Sequence, residues 1–206
     1  MHGGFFVWII SRKDAKARNK APRGNLCVFA FLASLREKNH QLYTMNYTVP
    51  PQTRIGHVHL KVADLDRALG FYQGLLGFEL MQQYGTQAAF ISAGGYHHHI
   101  GLNTWYSKGA GPAPEHAAGL FHTAILYPTR KDLANILQRL IDAKYPLTGA
   151  SDHGVSEALY LDDPDKNGVE LYWDKPRDQW PFDNNGNLQM VTEHLDLQDL
   201  LNERNK

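Results

Sequence analysis

Residues 56–62 read Gly56-His57-Val58-His59-Leu60-Lys61-Val62, and residues 121–127 read Phe121-His122-Thr123-Ala124-Ile125-Leu126-Tyr127. Each run sets a histidine at its opening and continues as a short strand. In the first, His57, His59 and Lys61 share one face by the period-two alternation of a half-buried strand. Asp64 follows as a helix cap, and Leu65, Ala68, Leu69, Tyr72, Leu75 and Leu76 fall at helical spacing up to Gly77, placed to end the helix in the left-handed conformation. Three strand-like runs come next, at 78–84, 87–93 and 96–105. The second run repeats this order. Thr129 with Asp132 makes a capping-box-like start. The helix carries Leu133, Ile136, Leu137, Leu140 and Ile141, and strands are expected near 145–147, 155–161 and 168–173, with a turn at Asp163-Pro164-Asp165 and Asn167-Gly168.

The repeat is strand, helix, three strands, with a period of about 65 residues between His57 and His122. That is too long for a solenoid. Two copies pairing around a shared cleft is the economical alternative. The expected organisation is an extension at 1–46, a first unit at 47–110, a second unit at 118–175 and a tail at 176–206, with Gly109–Gly119 as a Gly-, Pro- and Ala-rich linker.

Bulk composition narrows the function. Twenty-one basic residues balance twenty-one acidic ones, so nothing argues for a nucleic-acid partner or an acidic membrane surface. The single Cys27 rules out an internal disulfide and fits a reducing, cytoplasmic setting. The apolar run Phe5–Ile10 is too short to span a bilayer, and its basic residues follow it, the reverse of a secretory signal. Residues 1–46 are expected to be a non-catalytic extension, with Met45 as a natural start and a helix around Cys27–Lys38. An Arg- and Lys-rich transit peptide is the competing reading of that stretch.

Eleven histidines are many for this length, and five of them (His57, His59, His97, His98, His99) crowd the first unit. His57 and His122 occupy matching points of the repeat, and Gly168-Val169-Glu170-Leu171-Tyr172 supplies a carboxylate near the end of the second unit. Any one of the three alone reads as an ordinary strand residue. Together, two histidines and one carboxylate make a mononuclear metal set that leaves coordination positions open for substrate and dioxygen.

The pattern Gly56-His57-x-x-Leu60-x-Val62-x-Asp64-Leu65-x-Arg67-Ala68-x-x-Phe71-Tyr72, with Asp163-Pro164-Asp165-x-Asn167-Gly168-Val169-Glu170-Leu171-Tyr172-Trp173, resembles the vicinal oxygen chelate superfamily over about residues 47–175. The resemblance implies an α+β fold in which two paired βαβββ modules form a cupped mixed sheet around a metal. The chain looks most like small extradiol catechol dioxygenases, and the tail from Trp180 to Leu201 is similar to theirs. That branch implies Fe(II), or Mn(II) as the alternative, held by His57, His122 and Glu170, with a small aromatic diol and O2 as substrates. Glyoxalase-like members carry a fourth ligand, a carboxylate in the first unit. Here Ile100-Gly101-Leu102 aligns with Val169-Glu170-Leu171, so Gly101 stands where that ligand would be.

The same resemblance assigns His98 as the acid/base beside dioxygen, with His99 next. Strict alternation would put His98 on the face opposite His97, His99 and Gly101, unless a bulge intervenes. Tyr160, ten residues before Glu170, resembles a tyrosine that contacts the substrate hydroxyl. His153 resembles a histidine that hydrogen-bonds the diol, although it lies closer to Tyr160 than the family pattern suggests. His59, Asn103, Trp105 and Trp173 are candidate pocket residues. Three other readings stay open: a metal-dependent isomerase or glyoxalase-like lyase, a metal-free ligand-binding or antibiotic-resistance module, and a thiol transferase. One chain suffices for one site, and a homo-oligomer is compatible with the fold.

Overall fold

The structure is a computed structural model and describes residues 47–206. The expected helix around Cys27–Lys38 lies outside the described residues. From Arg54 to Lys206 the chain forms one compact unit.

The first strand, β1 (Val58–Lys61), is shorter than its alternating pattern, and Val62 N just beyond it still donates to Asn103 O. Asp64 caps helix α1 (Leu65–Leu69), its side chain accepting from Arg67 N. The helix then widens into a π-turn over Gly70–Leu75, in which Leu76 N donates to Phe71 O. Gly77 follows at φ 87°, the left-handed exit expected of it. Strands β2 (Glu79–Tyr84), β3 (Ala88–Ser92) and β4 (Ile100–Asn103) complete a four-stranded sheet in the order β1-β4-β3-β2, with β1 and β4 parallel and the other pairs antiparallel.

The second run repeats this pattern. It comprises β5 (His122–Leu126), α2 (Arg130–Asp142), β6 (Gly149–Asp152), β7 (Ser156–Asp162) and β8 (Gly168–Asp174). Its sheet has the order β5-β8-β7-β6-β9, where β9 (Glu193–His194) is contributed by the tail. Thr129 caps α2 by accepting from Asp132 N. One strand is displaced from its expected place: β6 begins at Gly149 rather than near Tyr145. Lys144 takes a left-handed φ of 53° and Tyr145 N still donates to Leu140 O, so residues 144–147 are spent leaving the helix.

Each helix packs its apolar stripe against its own sheet, on the face opposite His59 in the first and Glu170 in the second. Tyr72, Leu102, Leu137, Leu159, Leu171 and Leu200 are fully buried in one continuous core. Each such side chain contributes about 1.5–3 kcal/mol of burial. The two runs are also tied by polar contacts. Tyr72 donates to Asp163 Oδ2 at 3.0 Å, Ala63 N and Arg67 converge on Asp165 Oδ1, and Arg139 donates to the carbonyls of Gly74 and Leu75. Asp163 Oδ1 meanwhile accepts from Asp165 N and Asn167 N, so the turn read from the sequence is held by its first residue. The tail returns as α3 (Leu197–Asn202), clamped where Arg130 meets Glu157, Asp199 and Glu203. Among the described residues, no helix is long and apolar enough to cross a membrane.

Candidate metal centre

The parallel pairing of β5 with β8 sets His122 opposite Gly168 and Ala124 opposite Glu170. A Cβ on Gly168 would run into the main-chain carbonyl of Phe121, so only glycine allows this close approach beside the histidine. Glu170 can then lean back, and its Oε2 lies 2.9 Å from His122 Nε2, with the histidine about a third exposed and the carboxylate mostly buried. His122 Nδ1 is buried without a hydrogen-bond partner among the described residues.

Antiparallel β7 pairs Tyr160 directly with Glu170. The Tyr160 hydroxyl reaches Glu170 Oε1 at 3.1 Å and His153 Nε2 at 2.7 Å. Burial, the charge of Glu170 and the hydrogen bond to it push the Tyr160 phenol up to about 12, so it stays neutral and able to donate. His153 Nδ1 lies 2.9 Å from Val191 O. Four of the residues singled out in the sequence are therefore joined in one chain of contacts: His122, Glu170, Tyr160 and His153.

His57 and His98 form a separate pair in the first run, with ring centroids 4.5 Å apart. Residues 96–99 are not strand, because β4 starts only at Ile100. Strict alternation therefore does not govern His98, and its ring turns back against His57 and the edge of Phe90. Burial, then the imidazoles of His57, His97, His59 and His99, holds its pKa below the usual histidine value. His98 Nδ1 faces His97 Nδ1 at 2.8 Å. His99 is used differently: its Nδ1 lies 3.0 Å from Ser92 Oγ and accepts from Ala93 N. His59 pairs with Gly101 across β1 and β4, and its ring covers the space that a Cβ on Gly101 would enter. Of the other pocket candidates, Asn103 is buried and spends its amide on Leu60 O and Trp105 N, Trp105 lies 5.6 Å from the His59 ring, and Trp173 packs against the core.

A cleft of about 1350 Å³ opens between the end of β1 and the second sheet, lined among others by His59, Lys61, Tyr106, Phe121, His122 and Tyr160. The imidazole and carboxylate that meet beside it are the donor types of a borderline divalent cation. His122 and Glu170 therefore fit such an ion. The full trio is not assembled: among the described residues no three His, Cys, Asp or Glu side chains are grouped to hold a metal.

The model of the Glyoxalase/Bleomycin resistance protein/Dioxygenase superfamily matches residues 54–171, and the chain belongs to that family. It is 40% identical over 157 residues to a catechol-2,3-dioxygenase of Bacillus subtilis, covering 76% of this chain and 54% of that protein. It is 32% identical to biphenyl-2,3-diol 1,2-dioxygenase 3 of Rhodococcus globerulus, covering 62% and 65% of the two chains. The chain thus spans about half to two thirds of the length of these curated relatives. The solved structure of a glyoxalase/dioxygenase from Nostoc punctiforme shares the fold, with a TM-score of 0.52 at 15% identity over 65% of this chain and 100% of the other.

Val191 was not visible as a site neighbour in the sequence. It reaches His153 through its main chain across 38 residues, so no side-chain signal marks it. The cover that His59 gives to Gly101 could have been suspected from the strand register alone.

Proposed function

We propose that this chain is an extradiol ring-cleaving dioxygenase, taking a catechol-type aromatic diol and O2 and depending on Fe(II), with Mn(II) as the alternative. The observation that carries this is the contact chain His122–Glu170–Tyr160–His153 beside an open cleft. The names of the similar dioxygenases support the substrate class. In this reading His122 and Glu170 hold the metal, and His57, which the structure leaves apart from them beside His98, is the third ligand that the family resemblance implies. Once bound, the metal supplies the electronic link between the diol ring and dioxygen.

The chain's own residues do the rest. Glu170 brings one negative charge to the cation. Tyr160, a neutral phenol with a single proton, turns it from its resting acceptor to a substrate oxygen as charge develops there. His153 stands behind Tyr160 and fixes its hydroxyl. His98, with Nδ1 turned to His97, keeps Nε2 for proton transfer beside His57, and burial with the neighbouring imidazoles favours its neutral form, the one able to take up a proton. Phe121 and Tyr106 line the cleft and offer aromatic surface to the ring.

The test is oxygen uptake by protein loaded anaerobically with Fe(II) and given catechol or 2,3-dihydroxybiphenyl, watched for a yellow ring-fission product. Uptake with colour is the expected result. Firm metal binding without uptake moves the assignment to a lyase or isomerase. Neither uptake nor metal binding leaves a ligand-binding module.

A further inference from the structure

We infer that the C-terminal segment is a working part of the site: Val191 is a positioning residue that fixes the tautomer and direction of His153. The effect on turnover rests on the proposed function, whereas the tautomer follows from the fold alone.

Val191 spends both of its main-chain polar groups on one residue. Its N–H donates to the His153 carbonyl at 3.1 Å, and its carbonyl lies 2.9 Å from His153 Nδ1. A carbonyl can only accept, so Nδ1 carries the proton. In the neutral ring Nε2 is then an acceptor, and it faces the Tyr160 hydroxyl at 2.7 Å. The tyrosine has one proton and two candidate acceptors, His153 Nε2 at 2.7 Å and Glu170 Oε1 at 3.1 Å. The Nδ1–H tautomer leaves Nε2 bare as a second acceptor beside Glu170 Oε1, to which the hydroxyl donates in the structure. A cation taking the Oε1 lone pairs would leave His153 Nε2 to hold the hydroxyl, so that Tyr160 keeps its place when the carboxylate is used elsewhere. The opposite tautomer would point an Nε2–H at Tyr160 and leave Glu170 as the only acceptor of the two.

The segment carrying Val191 is anchored at both ends. Upstream, Phe182 bridges to Leu188 and Gln189 N donates to Pro181 O, while Asp183 accepts from Asn185 N and Asn187 N. Downstream, β9 pairs with β6 through Ser151–His194 and Asp152–Glu193, Leu195 and Leu200 enter the core, and Arg130 grips Asp199 and Glu203. Between the anchors, the side chains of Pro181 and Val191 lie directly on Gly154, at φ 76°, where a Cβ would come within 3.1 Å of Pro181 and 3.3 Å of Val191. The residue following His153 has to be glycine for the tail to lie this close.

The test is the 15N shift pattern of the His153 ring in wild type, Val191→Ala, Val191→Pro and Gly154→Ala, measured beside kcat, KM and the thermal midpoint. Wild type and Val191→Ala should show protonated Nδ1 and bare Nε2. Val191→Pro deletes the N–H donor and Gly154→Ala lifts the tail, and both should give mixed tautomers. Their kcat should fall about 10–100-fold, the usual cost of losing an orienting partner, with KM nearly unchanged. If Val191→Pro does not fold, Gly154→Ala and the wild-type tautomer still decide the matter. An Nε2–H wild type, or a tautomer that neither substitution alters, overturns the inference. The expected tautomers without any ring cleavage overturn the proposed function and leave the tail's role standing.

Discussion

The two βαβββ runs place a histidine at the same point and then diverge at one pair of facing positions. In the first run the pair is His59 opposite Gly101, and in the second it is Ala124 opposite Glu170. Large faces small in both, with the sides exchanged. In the first run the imidazole from β1 fills the space over the glycine, leaving no room for a carboxylate on β4. In the second, the small Ala124 leaves β8 free to carry one, and Glu170 meets His122. A repeated scaffold thus yields one half with a carboxylate at this position and one without.

The largest effect that could break this comparison is Glu170→Ala. It should reduce metal retention and turnover to background, measured by metal analysis and oxygen uptake, whereas His59→Ala at the opposing position of the first run should cost less than about tenfold, the low end for a group outside the ligand set. His98→Phe should keep the metal and slow ring opening by about 100–10,000-fold, the range for a lost general acid or base. Intact turnover in that variant would remove His98 from the chemistry. Tyr160→Phe should lower kcat by about 100-fold with metal content unchanged, as for loss of one donor to developing charge.

Two glycines sharpen the packing side of the comparison. Gly168→Ala meets main chain, which cannot yield, and should destabilise the fold by about 2–3 kcal/mol in denaturant unfolding. Gly101→Ala meets only the His59 ring and should cost about 1 kcal/mol, recovered when His59→Ala is added. The smallest effect concerns pH. Burial alone would raise the Asp152 carboxyl, but the hydrogen bonds from Lys175 and Gly154 and the nearby Lys175 charge hold it below its ordinary value. Its contribution is present above the unfolded carboxylate pKa and is lost as pH falls through the folded one. Asp152→Asn should therefore flatten part of the acid-side loss of stability, by less than about 1 kcal/mol for so partly exposed a pair.

Much of the fold was legible because it depends on local chemistry. Asp64 and Thr129 cap, Gly77 exits, and the turn at Asp163–Gly168 closes on its own carboxylate. The neighbourhood of Tyr160 and Glu170 was legible too, since ten residues with a turn between them make direct antiparallel partners. His153 lies closer to Tyr160 in sequence than the family pattern suggests, yet just past the end of β6 its ring reaches the Tyr160 hydroxyl on the adjacent strand. The face taken by His98 could not be read, because alternation was applied to a segment that is not strand. The role of Val191 lies in its backbone, and a backbone contact over such a distance leaves no trace in residue type.

The central claim is that a metal held by His122, Glu170 and His57 serves dioxygen chemistry on an aromatic diol. Mass spectrometry of the product formed under 18O2 by the Fe(II)-loaded protein tests it most directly. Two labelled oxygens in one ring-opened product, one on each side of the broken carbon–carbon bond, is the predicted result. A product without label, or intact diol beside firmly bound metal, would contradict it.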